Sequence, residues 1–213
     1  MYICFIGAIL LVILINNKSK KIKGGNKLKN IYDENLEQCG TNKMNNGSWG
    51  KNYKCDELDG GVHQICIKNI SKNTNNFSKN TGQSNWSENR NNDNHCVCLG
   101  AWSLYNKKEK IKEKKQKKEK KQDKNRILKC DAIPKNTLSD NYVNKFSEGW
   151  NKWNGLELDN QIKNGVEELV KNCYYDNKNN KMYKKSQKLK KNYCNFAKNH
   201  KILNNTDLYN KLC

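Results

Sequence analysis

The sequence predicts a mainly α protein: small helical units stapled by disulfides and joined by long disordered segments rich in Asn and Lys. Three observations predict it. Nine cysteines follow a leading apolar run. Apolar residues in positions 130–213 recur at helical spacing. The stretches between are polar runs with too few aliphatics to build a core. Hydrophobic residues make up 35% of the 213 positions, below the usual globular share, so small cores need cross-links to hold them.

Residues 1–17 read as a signal peptide or signal-anchor. The apolar run Tyr2–Ile15 is short for a membrane span, which needs about 20 residues, and suits the apolar region of a leader. Lys18, Lys20, Lys21 and Lys23 follow it and no basic residue precedes it, a bias that suits a reverse anchor. Residues 18–38 form a basic tether. Within it, Lys29–Asp33 falls short of a basic-x-aliphatic-x-acidic export signal because Lys stands where Arg is required.

Residues 39–100 are a Cys-rich segment with turns at Asn46-Gly47 and Gly60-Gly61 and a short apolar alternation around Ile65 and Ile67. Inside it, residues 72–94 are Asn/Ser/Thr-rich and predict a disordered loop. Residues 101–129 are a lysine-rich helix or linker. Its polyanion-binding candidates are Lys107, Lys108, Lys110, Lys112, Lys114, Lys115, Lys117, Lys118, Lys120 and Lys121, set among three glutamates. Residues 130–213 are a helical Cys-containing domain. Leu158, Ile162, Val166, Leu169, Val170 and Cys173 mark one helix, Met182, Leu189, Tyr193 and Phe196 a second. Leu208 and Leu212 mark a third, capped by Thr206.

The disulfide candidates are Cys39, Cys55, Cys66, Cys96, Cys98, Cys130, Cys173, Cys194 and Cys213. An odd count leaves one thiol free, paired with another chain, or paired with a cysteine beyond this sequence. The segment His95-Cys96-x-Cys98 offers a rival zinc reading, but no CxxC pair or HxxxH accompanies it, and no metal is expected.

No nucleophile–base pair, hydrolase elbow, metalloprotease helix, phosphate loop or dinucleotide fingerprint is present. His63, His95 and His200 stand in unrelated polar contexts and read as exposed. The chain is therefore read as non-enzymatic, without a cofactor. A formal net charge of +20 permits nucleic-acid binding, yet no recognition helix, RNA-binding strand motif or zinc finger accompanies it, and no nucleic-acid partner is expected. The same lysines suit sialylated or sulfated glycans, an acidic receptor or an anionic membrane surface.

Two stretches carry a family resemblance. Cys39, Trp49, Cys55 and Gln64-Ile65-Cys66-Ile67 resemble the opening of Duffy-binding-like domains of malaria-parasite erythrocyte-binding proteins. Cys130-Asp131-Ala132-Ile133-Pro134, then Leu138, Phe146, Trp150, Trp153 and Leu169–Cys173, is similar to the family's Cys-x-x-Ile-Pro stretch and paired-tryptophan helix, with Trp150 and Trp153 as core aromatics. The family's Pro-x-Arg-Arg signature and double-Trp central helices are missing. The resemblance implies a helical, cross-linked adhesin on the secretory route, secreted or held at the cell surface, that binds a host-cell receptor. The alternatives are an exported lysine-rich parasite protein with a small helical interaction domain, or a non-functional fragment of an adhesin.

Overall fold

Residues 28–41, 51–56, 62–90, 93–116, 126–143 and 157–213 are described by a computed structural model. The protein is mainly helical, with one two-stranded sheet among the described residues. In chain order the elements are β1 (Ile65–Ile67), α1 (Ile70–Asn73), α2 (Phe77–Asn80), β2 (His95–Val97), α3 (Leu99–Gln116), α4 (Leu158–Cys173), α5 (Tyr183–Asn199) and α6 (Asp207–Leu212). Short 3-10 turns lie at Lys51–Tyr53, Cys130–Ala132 and Lys135–Leu138.

Helices α4–α6 form where the 3.6-residue periodicity places them. Ile162, Val166, Leu169, Val170 and Cys173 turn one face of α4 inward, and Leu189, Tyr193 and Phe196 do the same for α5. Each aliphatic side chain so buried contributes about 1.5–3 kcal/mol. Thr206 caps α6 by accepting the Tyr209 N–H at 3.2 Å. Helix α4 lies close against α3: a Cβ added to Gly165 would stand 2.6 Å from Leu99 Cδ1 and 3.2 Å from the Leu99 carbonyl oxygen. Glycine permits that approach.

The sheet holds the other side of the core. Antiparallel pairing sets Ile65 opposite Val97, Cys66 opposite Cys96 and Ile67 opposite His95, and all six are buried. Residues 127–129 extend it, with Lys68 N–H donating to the Ile127 carbonyl at 2.8 Å and Lys129 N–H to that of Cys66 at 2.9 Å. Disulfides join Cys39 to Cys66, Cys55 to Cys96, Cys130 to Cys173 and Cys194 to Cys213. Closing loops of 19 to 43 residues, each is worth about 3–4 kcal/mol in the chain-entropy account. Four disulfides fit an oxidising, secretory-type compartment. No helix among the described residues is long and apolar enough to cross a membrane.

The core departs from the predicted division in three places. Residues 72–90 and 93–94 are not a disordered loop. Asn76, in the left-handed region, caps α2 by accepting the Lys79 N–H, and the Ser78 and Ser87 hydroxyls meet at 3.0 Å. Phe77 packs on Tyr105 and Trp86 with ring centroids at 5.2 and 6.1 Å. Local polar bonds and two aromatic anchors replace the aliphatics that composition lacked.

Nor are residues 28–38 a tether. Ile31 and Tyr32 are fully buried; Ile31 N–H donates to the Ile133 carbonyl at 3.0 Å, and the Tyr32 hydroxyl donates to that of Cys173 at 2.8 Å. Asp33 pairs with Lys135 at 2.5 Å, so Lys29–Asp33 is folded structure. Finally, the core does not lie mainly in residues 130–213, where the sequence places the helical domain. One buried cluster takes in Ile31, Phe77, Trp102, Ile133, Leu169 and Tyr193, and the first two turns of α3, assigned to a linker from residue 101, lie within it.

Candidate functional site

The predicted lysine run is divided by the structure. Lys107, Lys108 and Lys110 follow the buried turns of α3, and Lys112, Lys114 and Lys115 stand on its last turns. Lys117, Lys118, Lys120 and Lys121 lie outside the described residues, as do Trp150 and Trp153. Lys110 is committed to the fold: its Nζ sits 2.6 Å from Glu168 Oε1 on α4, a carboxylate only 8% exposed. Burial opposes the charge on Glu168, but Lys110 and Lys171 outweigh it and hold its carboxyl below the ordinary range.

A second basic surface escaped the sequence reading. Helix α5 carries six lysines and no acidic residue. Lys184, Lys188, Lys191 and Lys198 are exposed and fall at spacings of four, three and seven, which share one helix face. At 1.5 Å per residue they span about 21 Å. Lys188 lies 3.9 Å from Glu34; Lys184, Lys191 and Lys198 pair with no carboxylate among the described residues. Lys185, one position round the helix, bonds Glu34 and Asp131 at 2.8 and 2.6 Å and fastens α5 to the core. The signal was available: the apolar stripe of α5 fixes its opposite face, and that face reads Lys-Lys-Lys-Asn-Lys.

Eight of the nine cysteine candidates are spent in disulfides, and Cys98 remains a buried thiol. The sulfurs of Cys39, Cys55 and Cys66 lie within 4.8 Å of one another, a spacing that thiolates could share around a metal. Here each is bonded in a disulfide, so the oxidised protein offers no thiolate there. The His95-Cys96-x-Cys98 ligand set is broken for the same reason, Cys96 being bound to Cys55. Burial pushes the Cys98 thiol up to about 11, although the Ala101 and Gly100 N–H groups work against the rise. It stays protonated and unreactive at neutral pH.

The structure also contains a half-open cavity of about 350 Å³ between β2, the start of α3 and residues 77–90. Its floor is apolar, from Phe77, Val97 and Ala101; its polar lining comes from His63, Gln83, Arg90 and His95. Here the expectation of exposed histidines fails: His95 is 5% exposed, and His63 and His200 are half-buried. Trp86 aligns the polar groups. Its ring lies against His95 with centroids at 4.4 Å, Arg90 stands over it at 5.6 Å, and its Nε1 donates to Gln83 Oε1 at 2.7 Å. His95 Nδ1 is buried with no hydrogen-bond partner. Burial, then Arg90, then His63 push the imidazole down to about 3, so the ring is neutral at physiological pH. Phe77 and Trp86 were the sequence signal, being the only aromatics in residues 72–94.

Comparison with protein-family models, curated proteins and solved structures yields no match.

Proposed function

We propose that the chain is a non-enzymatic adhesion protein of the secretory route, secreted or held at the cell surface, that binds an anionic glycan or acidic receptor on a host cell. The observation that carries this reading is the exposed lysine stripe of α5. It is rigid, spans about 21 Å and faces solvent with almost no acidic neighbour to neutralise it. A sulfated or sialylated chain presents a matching row of charges, and such fields attract anionic partners over several ångströms. The disulfides support an extracytoplasmic setting. The resemblance to Duffy-binding-like domains names the kind of surface, an erythrocyte receptor, and the Cys130–Cys173 bridge closes the stretch that carries its second motif.

The test is binding of the oxidised full chain to intact erythrocytes, with and without sialidase, and to immobilised sulfated glycan across a salt series. Exposed charges act through a Debye length of about 8 Å at physiological salt, so binding weakens steeply as salt rises. Replacing Lys184, Lys188, Lys191 and Lys198 with Gln is expected to remove most of it, and Lys107→Gln with Lys108→Gln to remove less. Undiminished binding by both variants would overturn adhesion through these lysines.

A further inference from the structure

The geometry of the α5 lysine row restricts its partner beyond negative charge. Resting on the adhesion reading above, we infer that the partner is a linear sulfated polysaccharide lying lengthwise along α5, and not a sialic acid at the tip of a glycan branch.

Shape comes first. Lys188, Lys191 and Lys198 stand about 6, 10.5 and 21 Å along the axis from Lys184, at 1.5 Å per residue. The exposed Asn195 lies on the same face between the last two, and its amide can donate to or accept from a sugar hydroxyl. A sulfated polysaccharide carries charges on successive units and can meet every cation of such a row. A sialic acid carries one carboxylate at a chain end and can meet one or two.

The cations are also unclaimed. Lys184, Lys191 and Lys198 pair with no carboxylate among the described residues, and Lys188 approaches Glu34 at 3.9 Å, beyond hydrogen-bond distance. Magnitudes then favour the long ligand. One exposed lysine–anion pair improves binding by about fivefold at most. Four on one chain multiply to a factor on the order of several hundred when the ligand spans them together. A single terminal charge gains its grip from an enclosing pocket instead. None of the four lysines lines the cavity beside β2, and a helix face is convex. Nor does α5 hold an arginine, the side chain whose planar fork matches a carboxylate.

The test measures binding of the oxidised full chain to size-fractionated heparin oligosaccharides by titration calorimetry. The other probes are the same oligosaccharides desulfated, sialyllactose and polyglutamate. Affinity is expected to rise with oligosaccharide length and to level off once the ligand covers the row. The salt dependence should report about three released counterions. Lys198→Gln shortens the row to about 10.5 Å. It should weaken the long oligosaccharides about fivefold, lower the salt slope by about one, and leave the disaccharide unchanged. Lys211→Gln removes an equal charge from an exposed position on α6 and should leave every length nearly unchanged. Equal binding of sialyllactose, polyglutamate or the desulfated chains would overturn the proposal, as would absence of length dependence or an equal loss with Lys211→Gln. Heparin binding without erythrocyte binding would remove the adhesion reading and leave the polysaccharide site. Sialidase-sensitive erythrocyte binding without heparin binding would do the reverse.

Discussion

Residues 62–105 and helices α4–α6 share one core and are built from different materials. In α4–α6 the interior is Ile162, Val166, Leu169, Val170, Leu189 and Leu203, all 3% exposed or less. Around α1 and α2 it includes Thr74, Ser78, Thr81, Ser87 and His95, polar groups that must find partners or go unpaid. Ser78, Thr81 and Ser87 find them within the segment; His95 Nδ1 does not. An apolar interior loses stability in proportion to the volume removed, whereas a polar one depends on whether each bond is completed. The polar half also borders a half-open cavity, with His63, Gln83, Arg90 and His95 in its lining.

The apolar half should break hardest. Leu169→Ala is expected to cost up to about 5 kcal/mol, transfer and cavity terms together, measured as the denaturation midpoint of the oxidised protein. A cost below that of a cap substitution would show that α4 can collapse around the void. The sheet side should break at its cross-links. Replacing Cys55 and Cys96 together with Ala removes a closed loop of 41 residues, worth about 4 kcal/mol. Hydrogen exchange should then rise first in residues 72–90 while α4 and α5 keep their protection. Uniform exchange through both regions would mean that they unfold as one unit.

The difference in materials also explains what the sequence revealed. In α4–α6, each residue's environment is set by neighbours three and four positions away, so Ile162, Val166, Leu169, Leu189 and Leu208 could be placed from spacing alone, as could the Thr206 cap. In residues 72–94 local bonds such as Ser78 to Ser87 are joined by partners far along the chain: Asn75 N–H donates to the Tyr105 hydroxyl, and Ser71 Oγ to the Arg90 carbonyl. A polar composition without visible partners reads as disorder. The disulfide set was legible as a set, but its pairing and the identity of the free thiol needed the fold. The lysine run dominated by density, which hid the acid-free face of α5.

Asn76 sharpens the comparison at a single residue. It sits at φ 45° and ψ 71° and caps α2, while its Nδ2 donates to Glu88 at 2.5 Å. Asn76→Ala loses the cap, about 1 kcal/mol, and adds a left-handed penalty of about 1–2 kcal/mol. Asn76→Gly removes only the side-chain part, so Gly should be the milder change. If both substitutions cost the same, backbone conformation contributes nothing there.

Acid should act on the polar half through His95. The unfolded imidazole binds a proton below pH 6.5, the folded one only near 3. Between those values the unfolded state holds more protons, so stability falls as pH falls, by at most about 1.4 kcal/mol per unit. Burial holds the folded value down first, then Arg90 and then His63. His95→Phe keeps a buried ring and removes the titration. Its stability should be flat where the parent declines, from pH 6.5 to about 5.5, before carboxylates held down in the fold, such as Glu168, begin to lose their contribution. Parallel curves for the two proteins would show that His95 does not set the acid response.

The smallest effect belongs to the apolar half. Thr206 stands in extended backbone, φ −89° and ψ 155°, which alanine adopts without strain. Thr206→Ala therefore loses only the bond to the Tyr209 N–H, about 1 kcal/mol, and Thr206→Ser should restore most of it. The six-residue helix that Thr206 opens is also held by the Cys194–Cys213 bridge, which limits how far it can fray. The effect should accordingly grow in a Cys194→Ala, Cys213→Ala background, where the cap and the apolar contacts of Leu208 and Leu212 alone hold α6. A cap cost that is the same with and without the bridge would mean that the two act independently. One that shrinks would mean that α6 is already frayed once the bridge is gone, and that the disulfide orders this helix in a region otherwise ordered by apolar packing.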